Sequence, residues 1–200
     1  MDMFWAARSH PRRVRRSGRN TSVEDAVLVR RVAAADRTAM QTLFSRHHIA
    51  VYRFVLQRLR DKALAEDVTS AVFLEVWRHA GRCDTRSTVL TWILAIARRV
   101  TFAARSNPRS GKFDGGMADE QDGADDPDAP LQARDRGMVL RRSISRLSAE
   151  HREMIDLVYY QEQSLESVAT ILGIPHNTAQ TRMHYARKQL ADELNRSGVD

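Results

Sequence analysis

Apolar residues recur along most of this 200-residue chain at intervals of three and four, the spacing that places them on one face of an α-helix. Strand signals, in which apolar and polar residues alternate between turn dipeptides, are missing from the sequence. The apolar pattern predicts eight helices, at about residues 23–34, 37–59, 64–79, 88–105, 131–147, 150–160, 165–172 and 177–194. We therefore predict an all-α fold.

The predicted helices form two groups, separated by a segment with too few apolar residues to bury itself. Residues 106–133 carry two cations against seven acids, a net charge of −5, and hold three of the five prolines. Such a composition is typical of a flexible linker. The first twenty residues carry six arginines and one aspartate and are expected to be disordered. The predicted parts are a basic extension (1–21), a helical domain (22–105), an acidic linker (106–133) and a second helical domain (134–197).

The second domain contains a short helix, a tight turn and a longer helix. Ser164 is a capping residue for the first of these helices, Gly173 suits a turn that needs a positive φ, and Pro175 suits the start of the next helix. Three residues of that helix share its buried face: Ala179, Met183 and Ala186. The pattern predicts a helix-turn-helix whose second helix enters a DNA major groove, although an ordinary helical hairpin has the same pattern.

The outward face of the predicted recognition helix is polar and basic. Gln180 and His184 have side chains that read base edges. The residues suited to phosphates are Thr178, Thr181, Arg182 and Arg187.

Charge adds a class of partner to this picture. The chain has 32 basic and 25 acidic residues, a net charge of +7, and a pI near 10.3. The basic balance favours a polyanionic partner, either nucleic acid or an anionic membrane surface. Cys83 is the only cysteine, which excludes a disulfide framework and a multi-cysteine zinc site within one chain. Neither a secretory signal nor an apolar stretch long enough for a membrane span is present, so we expect a cytoplasmic protein without membrane insertion.

Over residues 22–196, the chain resembles the small extracytoplasmic-function (ECF) group of bacterial RNA polymerase sigma factors. The segments that carry this resemblance occur in the family's order: 28–36 (LVRRVAAAD), 65–68 (AEDV), 73–77 (FLEVW), 91–98 (TWILAIAR), 147–160 (LSAEHREMIDLVYY), 172–175 (LGIP) and 178–187 (TAQTRMHYAR). A helix-turn-helix alone is a weak match, but two ordered domains with an acidic tether between them make a specific one.

The resemblance implies an alternative sigma factor that binds core RNA polymerase and directs promoter-specific initiation, with a role in stress or envelope responses. It implies no enzymatic activity, no cofactor and no metal. The implied partners are promoter DNA, the β′ clamp helices and β flap of the polymerase, and an anti-sigma factor. The acidic linker is expected either to thread towards the polymerase active centre or to serve as a plain tether.

The resemblance also assigns three sets of residues. Contact with the −35 element falls on His176, Asn177, Thr178, Gln180, Thr181, Arg182, His184, Tyr185 and Arg187. Contact with the −10 element falls on Arg86, Ser87, Thr88, Trp92, Arg98, Arg99 and Arg105. Contact with polymerase falls on Glu66, Asp67, Ser70, Phe73 and Trp77. The alternatives are that Phe73 and Trp77 are core residues and that the arginines form a solvated face.

The sequence departs from the family at several positions. Ser70-Ala71 replaces a glutamine followed by an acid, which weakens the expected polar contact with the clamp. Cys83 and Arg99 stand where an aromatic residue and an asparagine are frequent. Promoter preference therefore cannot be transferred from relatives. His176-Asn177 replaces a pair that usually ends in glycine, and residues 1–20 have no family counterpart.

Three other functional classes have weaker support in the sequence. An enzyme is disfavoured, because no Gly-rich phosphate loop and no H-E-x-x-H pattern is present. The pair His79 and Cys83, four residues apart, offers only two metal ligands, and a redox role for Cys83 requires exposure. The other two classes are a stand-alone helix-turn-helix repressor or activator, and a structural or membrane-surface protein that uses the arginine-rich start.

Overall fold

Eight α-helices make up most of the described chain, which in this computed structural model comprises residues 17–83, 87–106 and 131–197. Side chains are described for residues 23–83, 87–106 and 137–197. The helices are α1 (Ser17–Ala33), α2 (Arg37–Leu59), α3 (Lys62–His79), α4 (Val89–Arg105), α5 (Leu131–Ser145), α6 (Ala149–Ile155), α7 (Leu165–Leu172) and α8 (His176–Arg196). No strand occurs in these residues, and the all-α prediction is confirmed.

Some predictions concern parts of the chain outside the described residues. These are the disorder of residues 1–16, the flexibility and role of the linker over 107–130, and the DNA contact at Arg86.

The first helix begins earlier than predicted. α1 starts at Ser17 rather than near Val23, so residues 17–20, which were expected to be disordered, are helical. Each residue added to an existing helix gains a backbone hydrogen bond, and no proline separates Ser17 from Val23 to stop the extension.

Carboxylates start two helices of the first domain. Asp36 caps α2 by accepting hydrogen bonds from the amides of Thr38 and Ala39, at 2.9 and 3.0 Å, and Asp61 caps α3. The Ala39 amide and the Arg31 guanidinium both stabilise the ionised form of Asp36, so the pKa of this carboxyl lies below its usual value. Asp36 starts α2 and Arg60, with a φ of 54°, ends it, and both bounds agree with the prediction.

Helices α1 to α4 form the first domain around one apolar core. Its largest fully buried side chains include Leu43, Phe54, Leu59, Ile93 and Leu94. A polar cluster joins α1 to α2 at the edge of this core. Buried Asp25 accepts from His47 Nε2 at 2.8 Å and from Arg46 at 2.8 Å. Pairing of this kind compensates a carboxylate for the loss of water.

Helices α5 to α8 form the second domain. Met154, Leu157 and Met183 are fully buried at its centre. A five-residue π-helical turn (Asp156–Tyr160) extends α6, and the Gln161 amide closes it by donating to the Asp156 carbonyl at 3.0 Å. This turn explains why the predicted helix over 150–160 is observed as two elements.

The two domains pack directly against each other, with α4 lying on α7. Thr91 of α4 donates to Gln163, which precedes α7, at 2.9 Å. None of the described helices is both long and apolar enough to span a membrane.

Candidate nucleic-acid interface

The turn between α7 and α8 is built by three residues that were singled out from the sequence. Ser164 caps α7, its Oγ accepting from the Ser167 amide at 3.1 Å. Gly173 ends α7 with a φ of 66°, a conformation in which a residue with a Cβ is strained. Pro175, with a φ of −59°, precedes the first residue of α8. The predicted helix-turn-helix is therefore present.

Hydrogen bonds across Gly173 complete this turn. Its amide donates to the Thr170 carbonyl at 3.3 Å, and the next amide, of Ile174, donates to the Ala169 carbonyl at 3.1 Å. The two bonds form the Schellman arrangement, which satisfies the last carbonyls of a helix. α8 thereby starts at a defined place relative to α7.

Helix α8 presents a polar face on the outside of the second domain. Ala179, Met183 and Ala186 are buried, as predicted. The exposed residues of the predicted −35 set are His176, Asn177, Gln180, Thr181, His184, Tyr185 and Arg187. Gln180 and His184 are one turn apart, so both side chains lie on the same exposed face.

The side chains of two members of the −35 set form an ion pair or a hydrogen bond within the domain. The half-buried Arg182 lies 3.4 Å from Glu150 of α6, and the Thr181 hydroxyl donates to the Asn177 carbonyl at 3.0 Å. Thr178 is half-buried. Gln180, His184 and Arg187 have no hydrogen bond or ion pair of their side chains among the described residues.

The predicted −10 set lies along α4 and at its start. Thr88 caps α4, its Oγ1 accepting from the Thr91 amide at 3.2 Å, while its residue surface stays exposed. Ser87 is half-buried, and Trp92 is half-buried against the core. Thr88 therefore has a structural role independent of DNA.

The structure separates the arginines of this set. Consecutive residues of an α-helix point about 100° apart, and Arg98 turns towards the second domain, where it donates to Glu153 at 3.1 Å. Arg99 points to solvent, with 67% of its side chain exposed, and lies 3.5 Å from Glu75 of α3. Arg105 is exposed at the end of the helix.

One exposed aromatic residue on α4 was missed. Phe102 is 73% exposed and stands one turn from both Arg99 and Arg105. Its position three residues after Arg99 was a readable signal, because residues at this spacing share a helix face.

The predicted polymerase face on α3 is only partly exposed. Glu66, Asp67 and Ser70 are exposed and Trp77 is half-buried. Phe73 is only 4% exposed. Its ring packs edge-to-face on Phe44, with the centroids 4.8 Å apart. Phe73 is thus packed as the core alternative expects, and its contact with polymerase stays a prediction.

The missed apolar residue on this face of α3 is Leu74, which is 49% exposed. It lies four residues after Ser70 and therefore on the same side of the helix. An apolar residue within a helix fits either core or surface, so sequence alone did not separate Leu74 from Phe73.

Charged side chains connect the two domains beside α4. Arg58, near the end of α2, donates to Asp156 at 2.9 Å and to Glu153 at 3.2 Å. Glu153 also accepts from Arg98. Burial raises the pKa of the Asp156 carboxyl above its usual value, and the nearby Arg58 offsets part of that rise. Within the described chain, no group of three or more His, Cys, Asp or Glu side chains is placed to hold a metal ion.

Each of the two domains matches a known protein family. Residues 43–106 match the family Sigma-70 region 2, and residues 143–192 match Sigma-70 region 4. ECF RNA polymerase sigma factor SigL of Mycobacterium tuberculosis is 33% identical over 172 residues, which cover 84% of this chain and 95% of that protein. ECF RNA polymerase sigma factor SigK of Mycobacterium bovis is 30% identical over 174 residues, 84% of this chain and 91% of that protein.

Solved structures show the same fold. CnrH, solved in complex with the cytosolic domain of CnrY, superposes with a TM-score of 0.62 at 19% identity, covering 86% of this chain and 97% of that one. The sigma factor RpoE of Bartonella quintana, solved in complex with the anti-sigma factor NepR, gives a TM-score of 0.59 at 22% identity, covering 78% and 96%.

The matches decide among the functional classes considered above. A stand-alone repressor or activator requires only the helix-turn-helix, whereas here region 2 and region 4 both match, in order. Since relatives of this kind also span 84% of the chain, the protein belongs to the ECF group of RNA polymerase sigma factors, alternative sigma factors that direct transcription initiation and are not enzymes.

Proposed function

We propose that three separate surfaces of the chain carry this function: the outer face of α8 reads the −35 element, α4 with the loop before it holds the −10 element, and α3 docks on polymerase. The exposed polar face of α8, positioned by the Gly173 turn, is the observation that carries the proposal. A helix presented in this way fits the major groove of duplex DNA.

At the −35 element, the proposed base readers are Gln180 and His184. Both side chains are exposed, share one face of α8 and have no internal hydrogen bonds among the described residues. Arg187 and Arg182 would bind phosphates. The ion pair of Arg182 with Glu150 joins partly exposed groups, and such pairs are weak enough to be exchanged for a phosphate contact. His176, Asn177, Thr178, Thr181 and Tyr185 complete this surface.

At the −10 element, the proposed surface is the side of α4 that carries Arg99, Phe102 and Arg105. Two exposed cations flank an exposed aromatic ring, a combination suited to a melted strand with accessible bases. Arg86, Ser87, Thr88 and Trp92 are proposed to border this surface.

On α3, the proposed polymerase contact consists of Glu66, Asp67, Ser70 and Leu74. It combines two carboxylates with an exposed apolar side chain, and Trp77 lies beside it. We assign its partner as the β′ clamp helices, and the β flap as the partner of the second domain. Phe73 supports this surface from the core through its contact with Phe44.

Membership of the ECF group also suggests how the protein is regulated and where it acts in the cell. Bartonella RpoE was solved with an anti-sigma factor. We propose that an anti-sigma factor also holds this chain inactive, in the cytoplasm, and that a stress or envelope signal releases it.

The base-reading role of α8 is tested by binding of −35 duplexes that differ at single positions. Gln180→Ala should weaken discrimination at one or two positions by about 1–3 kcal/mol if the contact is bidentate. Asn195→Ala, an exposed polar residue at the end of the same helix, is the matched control. An equal loss of affinity on every sequence would show that Gln180 touches only the DNA backbone.

A further inference from the structure

Two arginines from different helices of the first domain converge on one oxygen atom. Arg58 Nη2, from α2, lies 3.2 Å from Glu153 Oε1, and Arg98 Nε, from α4, lies 3.1 Å from the same atom. Glu153 belongs to α6 of the second domain. The side chains are 15% exposed for Arg58 and 43% for Arg98.

The first domain itself positions Arg58. Its guanidinium lies 3.4 Å above the centre of the Phe54 ring, and its Nη1 donates to the Phe54 carbonyl at 2.8 Å. Both contacts are within α2, so they do not depend on the second domain. A guanidinium held in this way loses little conformational entropy when it binds an anion.

A carboxylate oxygen and a phosphate oxygen present the same acceptor to an arginine. We propose that Arg58 and Arg98 form an anion site on the first domain that binds a backbone phosphate of promoter DNA, and that Glu153 occupies this site while the two domains are packed together. The proposal rests on the proposed DNA-binding role of α4 and adds Arg58, on α2, to it.

Further contacts hold the two domains together in what we call the closed arrangement, in which α4 and α7 are packed. Thr91 of α4 donates to Gln163 at 2.9 Å, and α4 lies on α7. Asp156 supplies a second carboxylate, 2.9 Å from Arg58. DNA therefore has to displace acidic groups of the second domain before a phosphate reaches both arginines. The proposed base readers Gln180 and His184 are exposed in this arrangement, so packing of the domains covers the anion site and leaves these two side chains accessible.

Binding of a random-sequence single-stranded DNA oligonucleotide to the full chain tests the proposal, because a phosphate contact carries no sequence information. Glu153→Gln removes the competing charge and should raise affinity roughly tenfold, the size expected of one charge-assisted hydrogen-bonding contact. The slope of log K against log salt concentration should steepen by about 0.7, the value for one additional phosphate on a single strand.

Two further variants make the test decisive. Asp192→Asn, which makes the same change of charge at an exposed position of α8, should leave the affinity near that of the wild type. Arg58→Gln combined with Glu153→Gln should abolish the gain. Glu153→Met replaces Glu153→Gln if the latter does not melt cooperatively.

An equal gain in the Glu153 and Asp192 variants, a gain that survives loss of Arg58, or no gain at all would overturn the proposal. Run-off transcription by the wild-type chain with core polymerase is measured separately. The proposed promoter-reading surfaces therefore stand or fall independently of this site.

Discussion

At the scale of the residue, burial and hydrogen bonding decide what each polar group contributes. Asp156 is the clearest case, because its side chain is 3% exposed and accepts a hydrogen bond from Arg58 at 2.9 Å. The cost of burying its charge exceeds what Arg58 returns, and the pKa of this carboxyl is raised as a result. Ser164, in contrast, contributes to stability at little desolvation cost. Its exposed hydroxyl accepts from a backbone amide that would otherwise lack a partner in the helix.

The raised pKa of Asp156 predicts a pH dependence of stability. A carboxyl with a higher pKa in the folded chain than in the unfolded chain stabilises the fold when protonated, and this stabilisation is lost as pH rises through the folded pKa. The wild type should therefore lose stability relative to Asp156→Asn as pH rises from the ordinary value of 3.8 through the raised pKa. Urea unfolding midpoints of both proteins across this range measure the effect. A constant difference between them would contradict the assignment.

Removal of the Ser164 hydroxyl, which caps α7, should lower the stability of the fold. Ser164→Ala removes the acceptor of the Ser167 amide and should lower the free energy of unfolding by about 1 kcal/mol. Ser70→Ala, an exposed serine inside α3, is the control and should be neutral or slightly stabilising, because alanine favours helix interiors. Urea unfolding of both variants gives the comparison. Equal effects would mean that the cap contributes nothing.

At the scale of the element, the sequence predicted where helices begin and end more accurately than which residues pack against them. The predicted bounds of α2 and α7 agree with the observed ones. Each of these helices begins and ends at a capping residue within its own segment: Asp36 and Arg60 for α2, Ser164 and Gly173 for α7. The sequence left Phe73 open between core and contact, because helical spacing gives the face of a residue but not what covers that face. Phe44, from α2, covers Phe73.

Because its ring is exposed, replacement of Phe102 should weaken DNA binding without lowering the stability of the fold. Because the residue is 73% exposed, Phe102→Ala should leave the urea midpoint nearly unchanged. Loss of base stacking should weaken binding of a single-stranded −10 oligonucleotide by about 1–3 kcal/mol. Leu74→Ala, at another exposed apolar position, should leave this affinity unaltered. Unchanged binding by the Phe102 variant would remove this residue from the −10 surface.

At the scale of the whole molecule, the contacts between domains were beyond reach of the sequence. Arg58 and Asp156 are 98 positions apart, and Arg58 and Glu153 are 95 apart, so no local pattern connects them. The two-domain division, in contrast, is visible in the sequence as a change in charge and apolar content. If the arginines of α4 and α8 contact phosphates as proposed, DNA binding by this protein should weaken with salt, because each phosphate contact releases counterions.

The central claim is that this chain, with core RNA polymerase, selects promoters through α8 and α4. Run-off transcription from a genomic fragment library, with purified core polymerase in the presence and absence of the protein, tests it most directly. We predict discrete start sites that appear only with the protein and share one −35 and one −10 motif. The absence of new start sites, together with specific duplex binding by the protein alone, would contradict this account.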